Sequence, residues 1–126
     1  MAKVSKPSAI TVTRIRRWAA KRVPVELQER TRVEVVVRGA NVTLYELEPP
    51  LWPADGQDWT RRPAAQFRHT GGGFWMLLWP DRHDRWQRYP LTPVPTRDLE
   101  SLLTELDHDG ICLFWGLRDR PGSEGV

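Results

Sequence analysis

The stretch Arg32-Val33-Glu34-Val35-Val36-Val37-Arg38 constrains this chain more than any other. β-branched residues lose χ1 freedom in a helix and fit a pleated, half-buried strand. Gly39-Ala40 follows, and Asn41-Val42-Thr43-Leu44-Tyr45-Glu46 returns as a second strand-like run. A two-residue loop with glycine first is a hairpin turn, and such a turn fixes register. Arg38 is then opposite Asn41, Val37 opposite Val42, and Val35 opposite Leu44. Val33, Val35, Val37, Val42 and Leu44 share one apolar face, and Glu46 ends the same row. A carboxylate in that position needs a donor or must stay near water.

Pro49 and Pro50 stop the second strand, because proline cannot donate to a ladder. Further strands are predicted over Pro63 to Thr70, Phe74 to Trp79 and Arg85 to Tyr89, with Gly71-Gly72-Gly73 and Pro80 to Asp84 as turns. Links this short force antiparallel pairing. Phe74 to Trp79 is apolar on both faces and reads as a central strand, with Trp75 and Trp79 on one side and Met76 and Leu78 on the other. Helical spacing occurs twice. Ile15, Trp18, Ala19 and Val23 form a stripe in a helix from about Ile10 to Val23. Leu99, Leu102, Leu103 and Leu106 form a second stripe, in a helix expected to be capped by Thr96 and closed by Gly110. Ile111 to Trp115 reads as a last strand or a packed extended piece.

The expected fold is therefore α+β: an antiparallel sheet of about five strands, flanked on one face by an N-terminal helix and a C-terminal leucine-striped helix. Its 126 residues suit a single domain, with an ordered core at about 9–117 and a flexible tail at each end. Cys112 is the one cysteine, so an intrachain disulfide is impossible. The longest apolar run, Gly73 to Trp79, is far below the ~20 residues of a membrane-spanning helix, and no signal peptide is recognised. A cytoplasmic location, no membrane association and no cofactor are the expectations.

Several features together resemble a small bacterial family of unknown function. They are Val37-Arg38-Gly39, Val42-Thr43-Leu44-Tyr45-Glu46 with Pro49-Pro50, and Ala65-Gln66-Phe67-Arg68. Trp79 with Asp81-Arg82, Trp86 with Tyr89, and Phe114-Trp115-Gly116 complete the series. The ordered set spans roughly residues 12 to 116. The resemblance implies a stand-alone domain and carries no activity.

Charge is uneven. Residues 1–32 hold nine Lys or Arg against Glu26 and Glu29, a net +7, so with +3 overall the remainder carries −4. Arg14, Arg17 and Lys21 form one row on the first helix. The row reads as a site for an anionic partner, nucleic acid or an acidic protein surface, or as a solvated face. Tryptophan is abundant, with seven in the chain. Packed rings account for a core, but Trp86 between Arg85 and Arg88 also matches the ring-plus-cation surface that holds single-stranded nucleic acid. Arg68 and Arg82 complete the binding candidates. His69, His83 and His108 show no metal-pair spacing, and no metal site is expected.

Three functions fit. The first is a non-enzymatic binding module using Arg14, Arg17, Lys21, Arg68, Arg82, Arg85 and Trp86. The second is a small metal-dependent hydrolase or nuclease, which needs Glu46, Asp81 and Asp107 to converge. In its structural counterpart Glu46 pairs with an arginine such as Arg68. The third is a self-association module forming a homodimer through a free sheet edge or exposed tryptophans.

Overall fold

The structure, a computed structural model, describes residues 6–50 and 58–109. Helix α1 (Ala9–Arg22) leads into a short 3-10 turn at Val25–Leu27. Five strands follow: β1 (Arg32–Arg38), β2 (Asn41–Glu48), β3 (Thr60–Gly71), β4 (Phe74–Pro80) and β5 (Trp86–Arg88). Helix α2 (Leu99–His108) completes the described elements. The sheet is antiparallel in the order β1-β2-β3-β4-β5, as the short links require. The first hairpin has the register expected from its turn. Arg38 pairs with Asn41 and Val35 with Leu44, and Gly39 takes φ +58° at the first turn position.

Side chains alternate across a strand, so register assigns each residue a face. Val42, Leu44, Ala65, Phe67, Trp75 and Leu77 lie on one face, and Val33, Val35, Val37 and Trp79 pack against them. Ile15 of α1 and Leu99, Leu102, Leu103 and Leu106 of α2 belong to the same cluster, so both helices cover this one face. Tyr89 follows β5, donates its amide to Leu77 and is fully buried in the core.

Two local features depart from the sequence expectation. Thr96 does not cap α2. Its backbone is extended and exchanges two hydrogen bonds with Trp75, continuing the β4 edge where β5 has ended. Asp98 is the cap, accepting from the Ser101 amide at 3.2 Å. At the other end Asp109, at φ +43°, takes the left-handed position expected of Gly110. Gly110, the predicted strand Ile111 to Trp115, Cys112 and Trp52 lie outside the described residues.

The second departure is a bulge. Leu44 pairs with Ala65, but Tyr45 pairs with Pro63, so Ala64 is the extra residue. Without it, Glu46 would face Pro63. With it, Glu46 faces Arg62, and their side chains meet at 2.6 Å. The donor at the end of the apolar row is therefore Arg62 and not Arg68, which lies on the opposite face of the sheet. The bulge also uses Pro63 where a strand tolerates a residue without an N–H.

The Glu46 side chain is 7% exposed and that of Arg62 36%. Removing the cation opposite a buried carboxylate costs more than the pair contributes to stability. Arg62→Met is expected to lower unfolding free energy by about 3 kcal/mol, the low end for a buried pair because Arg62 reaches water. Glu46→Leu/Arg62→Met is expected to recover most of that loss in a denaturant titration.

Candidate functional site

The structure separates the residues that the sequence singled out for binding. Arg14, Arg17 and Lys21 lie on α1, on the side of the sheet that carries both helices. Arg14 forms an ion pair with Glu100 of α2, while Arg17 and Lys21 are exposed with no side-chain partner among the described residues. The other basic residues of α1 act as struts. Arg22 reaches Asp107 at 3.2 Å, and Arg16 donates to the Val35 carbonyl of β1 at 3.0 Å. Trp18 adds its indole N–H to Asp107 at 3.1 Å.

The three carboxylates proposed for metal chemistry occupy separate elements. Glu46 faces Arg62 under the helices, and Asp107 receives Trp18 and Arg22. Asp81 organises the β4–β5 turn: one carboxylate oxygen accepts the amides of His83 at 2.8 Å and Arg85 at 3.0 Å, and the other accepts Gln87 Nε2 at 3.0 Å. Among the described residues no three His, Cys, Asp or Glu side chains come together to hold a metal. The expected convergence of Glu46, Asp81 and Asp107 is not present.

The sheet edges are also guarded. On β1, Arg16 occupies the Val35 carbonyl, and β5 has only three residues, both of which blunt an edge against strand addition.

The opposite, outer face of the sheet has a different character. Register places Arg32, Glu34, Val36 and Arg38 of β1 there, beside Asn41, Thr43, Tyr45 and Leu47 of β2. Arg61, Gln66 and Arg68 of β3, Met76 and Leu78 of β4, and Trp86 and Arg88 of β5 complete it. Five arginines thus share this face with one carboxylate, Glu34. Glu34 is taken by Arg61 at 2.9 Å, and the same guanidinium lies over the Tyr45 ring, 4.3 Å from its centroid. Arg32 lies over the Trp59 ring at 4.0 Å, which accounts for one of the tryptophans placed beside the proline loop.

Arg68 is central to the polar part of this face. Its Nε donates to Asn41 Oδ1 at 3.2 Å and an Nη donates to Gln66 Oε1 at 2.9 Å. Gln66 in turn donates to Thr43 Oγ1 at 3.0 Å. This ladder fixes the guanidinium through neutral oxygens, and among the described residues no carboxylate pairs with it. An arginine carries five N–H donors, so three remain for something else. Arg38 and Arg88 flank it, both exposed and without a side-chain partner among the described residues. Arg82 and Arg85, in the turn that leads into Trp86, are exposed in the same way.

Of the expected site, Arg68 and Trp86 share the outer face, Arg82 and Arg85 lie in the turn that precedes Trp86, and the α1 row lies across the sheet. Arg38 was not singled out from the sequence, and Arg88 was noted there only as a neighbour of Trp86. The hairpin register already put Arg38 beside Asn41, so alternation carried into β3 was the signal that could have found this group.

Asp81 offers a test of the turn. The Arg85 amide has the largest effect and lowers its pKa; burial, next in size, raises it, and the His83 amide, the Gln87 side chain and the His83 charge help hold it below the ordinary 3.8. A depressed folded value means that Asp81 stabilises the fold above its unfolded pKa, and that this contribution is lost as pH falls through the folded value. Carboxyl-detected NMR titration is expected to give a midpoint below 3.8. A midpoint at or above that value would show that the turn is not held in this way.

No helix among the described residues is long and apolar enough to cross a membrane. No curated protein and no solved structure matches the chain. A family model for a domain of unknown function, DUF3024, matches residues 4–116, and the chain belongs to that family.

Proposed function

We propose that this domain is a non-enzymatic binding module whose partner is nucleic acid, held on the outer face of the sheet. The observation that carries this reading is Arg68: a half-buried side chain oriented by Asn41 and Gln66, with donors to spare and no carboxylate partner among the described residues. A partly desolvated cation without a counter-charge favours an anion, and a guanidinium fork suits phosphate oxygens. Arg38 and Arg88 extend the positive surface to either side, so the favoured ligand is a chain of phosphates and not a single anion. The α1 row is the weaker candidate, because Arg14 is already matched by Glu100 and its neighbours Arg16 and Arg22 brace the helix.

Salt dependence tests this directly. Fluorescence anisotropy with labelled oligonucleotides across a salt titration is expected to show log affinity falling linearly with log salt. Arg38→Gln and Arg68→Gln are each expected to reduce that slope by about one, while Arg17→Gln/Lys21→Gln leaves it unchanged. A slope that depends on Arg17 and Lys21 instead would move the site to α1. No binding at low salt would reject nucleic acid as the partner.

A further inference from the structure

We infer that the nucleic acid is single-stranded and that Trp86 is a platform for one of its bases; this rests on the nucleic-acid reading above. The first reason is shape. Five strands at the usual spacing make a face about 19 Å across. The major groove of duplex DNA is about 12 Å wide, so this face cannot enter it and could touch a duplex only at its phosphates. Thr43, Gln66 and Leu78 in the middle of the face are buried, so a single strand would meet the side chains around them, Arg68, Arg88 and Trp86.

The second reason is the state of the ring. Trp86 is half-buried on the outer face, opposite Pro80, and among the described residues its side chain has no hydrogen bond and no ring or cation partner. The other rings near this face are engaged, Tyr45 by Arg61 and Trp59 by Arg32. Arg88 is two residues along the same strand and on the same face, about 6.6 Å away, and its side chain is also unpartnered. A partly exposed ring with no polar or ring partner, beside an unpartnered guanidinium, supplies the two contacts a nucleotide in a single strand needs, one for the base and one for the phosphate. In a duplex the base faces are already stacked, and Trp86 would have no role.

The test uses the full chain and fluorescein-labelled probes: a short oligothymidylate, the matching oligouridylate, a duplex, and a strand of abasic spacers with the same phosphates. Trp86→Leu and Trp86→Phe both fill the site, and only the second keeps a ring; thermal melts verify that each folds. The expected result is tighter binding of the single strands than of the duplex. Trp86→Leu is expected to weaken single-strand binding by about 5- to 150-fold, the worth of one stacked base, with the salt slope unchanged. Trp86→Phe should restore most of it, and on the abasic strand the two variants and the parent chain should bind alike. The DNA and RNA probes separate the two sources of a single strand. Equal binding of duplex and single strand, untouched by Trp86→Leu, would overturn this inference and leave the phosphate reading standing. No binding of any probe at low salt would overturn both.

Discussion

The fold depends on one sheet having one apolar face. Val42, Leu44, Phe67 and Leu77 present a continuous surface that has to be covered, and burying each such side chain is worth roughly 1.5–3 kcal/mol. Helices α1 and α2 both go to that side, with Ile15 and the four leucines of α2 completing the core. The two helices are then tied to each other at Asp107, which accepts from Trp18 and Arg22 together. The helices are committed there, and on the other face Thr43, Gln66 and Leu78 are buried while the exposed side chains include Arg32, Arg38, Arg61 and Arg88. The polarity of the domain follows from that division.

Much of this division was legible in the sequence. The valine alternation, the glycine turn and the two leucine-type stripes dictate the hairpin, the antiparallel order and the side on which the helices pack. What was not legible was the extra residue at Ala64. A bulge changes which side chains face each other without changing composition or periodicity in any obvious way. It moves Arg62 under the helices to meet Glu46 and leaves Arg61 outside with Tyr45 and Glu34. Residues next to each other in sequence therefore have opposite fates, and a pairing of Glu46 with Arg68 was a natural but wrong inference. Thr96 was misread for a related reason. A threonine before an acidic turn looks like a cap, yet the strand it runs beside has unpaired groups at Trp75, and satisfying those takes precedence.

The uneven charge has a similar explanation. The excess of cations in the first part of the chain suggested a basic helix presented to a partner. In the fold, three of those side chains brace the helix: Arg14 to Glu100, Arg16 to the β1 backbone, and Arg22 to Asp107. Their charge answers the acidic remainder of the same chain. Arg17 and Lys21 stay exposed and unpaired among the described residues, and further unpaired charge lies on the strands, where only the alternation of faces gathers it. On the sheet, register and not proximity in the chain decides which residues are neighbours.

The most direct test of the outer face as the binding surface is chemical-shift mapping of the isotopically labelled chain with an unlabelled single-stranded oligonucleotide. The largest perturbations are predicted at the backbone amides of Arg38, Asn41, Arg68 and Arg88, at the side-chain Nε–H of Arg68 and at the indole N–H of Trp86, with α1 unmoved. Perturbations centred on Arg17 and Lys21, or none at saturating oligonucleotide, would contradict the account.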